Sequence, residues 1–200
     1  AEALVPAQAR MNDELLELLG AGDGMTVLDV GCGFGGSLEA LDRRHHELRC
    51  LGLNLDGEQL RVAATLRPGP DNLIQWIRGD AEHLPLADGS IDRILCLEAM
   101  PHFADRGAFL RECARVLRPG GRLAVGDLLV LPDAPAVLDR RSDDVAAVLD
   151  TWLGPWPAPF CSPEQLVELA AAAGLTRREV RDATAATLPT HEVAFAADDP

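Results

Sequence analysis

Basic residues are scarce in this chain. Its 200 residues include 18 Lys and Arg against 32 Asp and Glu, a net charge of −14. Nucleic-acid phosphates and anionic membrane surfaces are met by basic footprints, so neither is expected as a partner. No apolar run approaches the ~20 residues of a membrane-spanning helix. The opening stretch Ala1-Glu-Ala-Leu-Val-Pro6 lacks the basic start and apolar core of a signal peptide. Tyrosine is absent. The five cysteines, Cys32, Cys50, Cys96, Cys113 and Cys161, are odd in number and never spaced as C-x-x-C. They read as small reduced residues, and a cytoplasmic location is the expectation. No metal-ligand pattern stands out, since the adjacent His45 and His46 would point about a quarter turn apart on a helix.

What the chain does have is apolar content, 48% of its residues, and length enough for one domain with a sizeable core. Its most informative stretch is Thr26-Val-Leu-Asp-Val-Gly-Cys-Gly-Phe-Gly-Gly36. Val27, Leu28 and Val30 read as a buried strand. Gly31, Gly33, Gly35 and Gly36 then allow a sharp turn and a close backbone approach by a ligand, and residues 37–44 have helical composition. A strand, a glycine turn and a helix start make a nucleotide-type cradle. Gly31-x-Gly33-x-x-Gly36 also satisfies the dinucleotide fingerprint. Asp29 would repel a pyrophosphate, however, and attract a cation. A plain strand–helix turn, a nicotinamide dinucleotide site and a site for a cationic ligand all stand at this point.

Further along, periodicity and breakers predict a short helix over 12–19 with Asn12 as its cap, strands over 48–53, 73–77, 90–97 and 122–131, and helices over 57–67 and 108–117. Residues 162–174 form a clear helix, with Ser162 as cap, Pro163 in the first turn and Gly174 as stop. Residues 176–185 and 191–196 alternate weakly enough to be sixth and seventh strands. Asp56 suits the cap of the helix that follows it. Asp127 falls midway along the predicted fifth strand, where an acid is costly without a partner.

Asp-Val-Gly-Cys-Gly-Phe-Gly resembles the first motif of the class I S-adenosylmethionine-dependent methyltransferases. Gly52-Leu-Asn, Gly79-Asp-Ala-Glu-His-Leu-Pro-Leu86, Leu97-Glu-Ala-Met-Pro-His-Phe103 and Arg115-Val-Leu-Arg-Pro-Gly-Gly-Arg-Leu123 are similar to later segments of its small-molecule branch. That branch includes antibiotic-sugar O-methyltransferases and sterol or tocopherol C-methyltransferases. The resemblance implies an α/β, Rossmann-like, mainly parallel seven-stranded sheet with helices on both faces and a short lid insertion after strand 5. A single domain over 1–200 would comprise an N-terminal helical segment (1–23), a cofactor-binding core (24–131), an acceptor-pocket insertion (132–161) and a C-terminal helix with strands (162–200).

It further implies that S-adenosylmethionine, with S-adenosylhomocysteine as product, is held by Asp29, Gly31, Cys32, Gly33, Gly35, Asn54, Leu55, Gln59, Asp80, Ala81, Glu82 and Leu97. Asn54 stands where an acid would usually accept the ribose hydroxyls, and a turn role is its alternative. Asp80 would accept from the adenine amine, with a strand-end Asx turn as the alternative. His102 is the implied general base for a hydroxyl, a residue type near its working pKa at neutral pH, with a polar loop residue packing on Phe103 as the alternative; Asp127 is its implied helper, with orienting a neighbour or capping buried backbone as the alternative. Met100, Phe103, Trp152, Trp156 and Phe160 would line an acceptor pocket, or else the rings staple a loop to the core. The expected function is O-methylation of a small molecule in natural-product biosynthesis. C- or N-methylation, a cyclase that keeps the cofactor without transferring its methyl, and a non-catalytic partner subunit are the alternatives. For assembly, a homodimer is among the possibilities.

Overall fold

The computed structural model describes residues 4–130, 157 and 161–184. Five strands, β1 (Thr26–Val30), β2 (Arg49–Asn54), β3 (Leu73–Arg78), β4 (Ile91–Leu97) and β5 (Leu117–Gly126), form one sheet in the order β3-β2-β1-β4-β5. Every pairing is parallel. Alternating with them are helices α1 (Leu4–Leu19), α2 (Gly36–Asp42), α3 (Gly57–Ala63), α4 (Arg106–Val116) and α5 (Pro163–Ala172). This is the α/β parallel architecture the sequence implies.

The strands are apolar on both faces because both faces are covered. Leu28 and Val30 of β1 join Ile94 and Cys96 of β4 under Phe109, Leu110 and Cys113 of α4. Val27, Cys50 and Leu95, one step out of phase, pack against Leu15 and Leu19 of α1 and Leu38 and Leu41 of α2. Period-two alternation thus splits each strand between two cores. α5 adds Leu166 and Ala170 to the first. The strand order reverses at β1, with β2 on one side and β4 on the other, and a parallel sheet opens its ligand crevice at the carboxyl ends beside such a reversal. No helix among the described residues is long and apolar enough to cross a membrane.

Several expectations need correction. The first helix begins at Leu4, not Asn12. Pro6 sits in the first turn, where an amide has no helical acceptor to lose. Asn12 lies mid-helix and accepts from Ser37 Oγ at 2.8 Å, tying α1 to α2. α3 stops at Ala63 rather than residue 67, and the Thr65 hydroxyl bonds the Val62 carbonyl at 2.7 Å there. β5 starts and ends five residues before the predicted fifth strand, because α4 runs straight into it. The register slips between Ile91↔Leu117 and Arg93↔Arg122, and Gly120, at φ 80°, lies in the extra chain. Asp92 pins this bulge by accepting from Thr26 N at 2.8 Å and Arg118 at 2.6 Å. Asp127 is therefore the first residue beyond β5, not its midpoint. Among the described residues the sheet has five strands, not seven. Residues 176–183 carry no strand; they are largely exposed and offer no apolar face to bury. Residues 191–196 and nearly all of the expected lid at 132–161 lie outside the described residues.

The sheet is tightest at Trp76 of β3, whose indole lies across Gly52 of β2. A Cβ on Gly52 would come within 2.5 Å of the ring's Cε3 and Cζ3. Gly52→Ala is expected to cost about 1–3 kcal/mol by overpacking, read as a lower urea midpoint. Gly36→Ala, which points into open space, should show no such loss. An unchanged midpoint for Gly52→Ala would contradict this packing.

Candidate functional site

The residues singled out in the sequence converge on the carboxyl edge of the sheet. β1 ends in a turn whose glycines Gly31, Gly33 and Gly35 have φ of 74°, 53° and 86°, a region closed to most side chains. Two of them are also hemmed in. A Cβ on Gly31 would fall 2.2 Å from the Cβ of Ala99, and one on Gly35 would fall 2.5 Å from Cη2 of Trp76. Gly33 and Gly36 have no such neighbour: the nearest atom to a Gly33 Cβ is Gln59 Oε1 at 3.9 Å, and Gly36 faces open space. The turn is thus clamped from below by Trp76, from the β4 side by Ala99, and left bare above. The amides of Gly31 and Cys32 both donate to the Leu53 carbonyl, at 2.8 and 3.1 Å.

Asp29 lies under this turn, in register between Gly52 and Leu95. It is 2% exposed, and among the described residues its carboxylate has no hydrogen bond. Burial pushes its pKa up to about 7. A buried, unpartnered acid is expensive, so a group that satisfies it is the natural complement of the site, and a cation fits best. Cys32 is buried beside it, and burial followed by the Asp29 charge pushes its thiol up to about 12. It stays protonated and is no nucleophile.

At the end of β2, Asn54 Nδ2 donates to Gln59 Oε1 at 2.7 Å, and the same oxygen is the one nearest Gly33. Gln59 therefore links the glycine turn to Asn54. Asp56 caps α3, accepting from Glu58 N at 2.8 Å and Gln59 N at 3.4 Å, as its position predicts. Leu55 is 70% exposed and Phe34, in the glycine turn, 61%. Phe34 escaped the sequence reading, although an apolar residue among glycines was the signal.

After β3, Asp80 forms the Asx turn. Its Oδ1 accepts from Glu82 N at 2.9 Å and its Oδ2 lies 3.0 Å from His83 Nδ1. The His83 bond, then the Glu82 amide, holds its pKa below the usual range. Ala81 is buried. Glu82 points away from the turn, and its Oε1 accepts from the amides of Ala104 and Asp105 at 2.7 and 3.0 Å.

β4 delivers the other wall. Leu97 packs near Gly126. Glu98 follows at φ 52°, a left-handed conformation that costs a non-glycine residue and clusters at functional sites. A single 3-10 turn, Met100–His102, comes next. Met100 is fully buried and Phe103 packs edge-on against Phe109, centroids 4.9 Å apart, so both belong to the core's upper layer. His102 is exposed at the end of the turn. Asp127, just past β5, takes Leu128 N at 2.7 Å on Oδ1, while its Oδ2 is buried with no partner among the described residues. Burial raises its pKa to about 7, against the pull of the Leu128 amide and of Arg106. Arg106, 8% exposed beside it, was not anticipated. Trp152, Trp156 and Phe160 lie outside the described residues.

Residues 28–125 match the model of a family described as a methyltransferase domain. The methyltransferase GfsG of Streptomyces halstedii is 43% identical over 131 residues, 64% of this chain and 47% of that protein. The 27-O-demethylrifamycin SV methyltransferase of Amycolatopsis mediterranei is 34% identical over 147 residues, 72% of this chain and 53% of that protein. The chain spans about half the length of these curated relatives. Geranyl diphosphate C-methyltransferase of Streptomyces coelicolor, solved with geranyl diphosphate and S-adenosyl-L-homocysteine, shares the fold at a TM-score of 0.81 and 20% identity, covering 96% of this chain and 70% of that one.

The Asp29 environment gives a signed expectation. Its folded pKa is raised above that of the unfolded chain, so the folded state holds the extra proton between about pH 4 and pH 7. Stability is full below that window and falls as pH rises through it. Urea unfolding at pH 4.5 and 7.5 should show the Asp29→Asn variant gaining on the wild type by an amount on the order of a few kcal/mol. A difference independent of pH would mean Asp29 is not buried as an acid.

Proposed function

The chain belongs to the methyltransferase-domain family, and from that premise we propose that it binds S-adenosylmethionine in the Gly31–Gly35 cradle and passes the methyl group to a hydroxyl of a small-molecule acceptor. The observation that carries this reading is Asp29, a buried carboxylate with no hydrogen bond among the described residues, beside a bare-backbone turn. A diphosphate would be repelled there, while a ligand bearing ammonium and sulfonium charges would stabilise the ionised acid.

When bound, the cofactor supplies a methyl already activated by its positive sulfur. What is left to the protein is binding, alignment and proton handling. Gly33 and Gly36 leave room for the ligand's backbone approach. Asn54, held by Gln59, presents its side chain toward ribose hydroxyls. Asp80 would accept from the exocyclic amine of adenine, trading the His83 contact for it, and the buried Ala81 would form the floor. His102 would take the acceptor's proton as oxygen attacks, and Asp127 would help in that deprotonation. Met100 and Phe103 would back the acceptor site, and residues 132–161 would cover it. One domain spans the chain in this reading. The free, buried cysteines fit a reducing cytoplasm, and the relative named for an O-demethylated rifamycin favours transfer to oxygen.

Two outcomes are expected. In calorimetry, S-adenosylhomocysteine affinity should rise from pH 5 to pH 7 as Asp29 ionises, and Asp29→Asn should flatten that rise. Absence of binding at any pH would sink the cofactor assignment. His102→Ala should lower turnover with any hydroxyl acceptor by about 10²–10⁴-fold while S-adenosylhomocysteine still binds. Normal turnover would remove His102 from the mechanism.

A further inference from the structure

We propose that Glu82 is a positioning residue that couples the segment after β3 to the turn carrying His102. Its Oε1 accepts from two consecutive amides, Ala104 N at 2.7 Å and Asp105 N at 3.0 Å. These are charge-assisted bonds, stronger and more directional than neutral ones. Glu82 N in turn donates to Asp80 Oδ1 at 2.9 Å. Asp80 and the start of α4 are therefore joined through one residue. The sequence resemblance suggested Glu82 as a cofactor contact, but its carboxylate is engaged with this backbone instead.

The same segment is fastened a second time. Leu84 N donates to Glu112 Oε2 at 2.8 Å, and Arg115 donates to the carbonyls of Leu84 and Leu86 at 3.0 and 2.8 Å. Residues 80–86 are thus tied to the N-cap of α4 and, through Glu112 and Arg115, to its second and third turns. On the other side of Ala104 only Phe103 separates it from His102, and Phe103 is itself held against Phe109 of α4. His102 sits on a single 3-10 turn closed by His102 N to Ala99 O and Phe103 N to Met100 O, each at 3.1 Å. The chain that leaves this turn is held at the two amides from which Glu82 accepts. A ligand that orders Asp80 would order Glu82 by their shared amide, and the His102 turn with it. This inference rests on the cofactor reading above, because it takes Asp80 to meet the bound base.

The test is amide hydrogen exchange with and without S-adenosylhomocysteine, on wild type, Glu82→Ala and Glu82→Gln. In the wild type the ligand should slow exchange in 79–86 and, by at least about fivefold, in 99–110. In Glu82→Ala the slowing should stay in 79–86 and vanish in 99–110, with affinity within about threefold of wild type. Glu82→Gln keeps an acceptor and should retain part of the distant effect; it carries the measurement if the alanine variant does not fold. A purely structural cap would speed exchange in 99–110 equally with and without ligand, and that result overturns the coupling. So does ligand protection at 99–110 that survives in Glu82→Ala, protection confined to 79–86 in the wild type, or a tenfold loss of affinity, which would make Glu82 a direct contact. A wild type that binds no S-adenosylhomocysteine overturns the cofactor reading, and this inference with it.

Discussion

A carboxylate with no hydrogen bond among the described residues lies at the middle strand of the sheet, and the glycine turn follows it. Asp29 is flanked by Gly52 and Leu95 in register and is 2% exposed. In that position an acid destabilises the protein by itself. It is tolerable because the crevice beside β1 is where the parallel sheet admits a ligand. The preference for a cation follows from this placement, since the low-dielectric surroundings that penalise a lone charge also strengthen its attraction to an opposite one.

The rest of the edge is a set of clamps that hold this arrangement. Trp76 lies across Gly52 and under Gly35, so β3 supports the turn that leaves β1. Ala99 meets Gly31, so the loop leaving β4 closes on the same turn from the other side. Glu98 accepts a left-handed backbone to bring Ala99 there. Glu82, beyond β3, holds the amides of Ala104 and Asp105. Sites on open α/β sheets gather residues from several strand ends, and rigid placement is the protein's main contribution where a cofactor supplies the reactivity.

Local signals carried well wherever the cause was local. The strand–glycine–helix order at 26–42, the Asp56 cap, the Ser162 cap and the Gly174 stop depend on neighbouring residues, and the structure has them. Boundaries slipped where a distant contact decided. Pro6 does not break α1, and α1 also packs on β4 and β5. β5 begins at Leu117 because Ile91 of β4 pairs with it, which no inspection of Arg-Pro-Gly-Gly would indicate. Asp127 moved with that register from mid-strand to the site edge.

What the sequence determined by itself is therefore the alternation of elements, the presence of a bare-backbone turn and the chemical types near it, because spacing, glycine and capping act over a few residues. Only the tertiary structure decided that Asp29 finds no hydrogen bond among the described residues, that Trp76 and Ala99 are what require Gly35 and Gly31, and that Glu82 faces α4 rather than the crevice. Each of these joins residues tens of positions apart, and burial and close contact of that kind exist only once the sheet has brought the strand ends side by side.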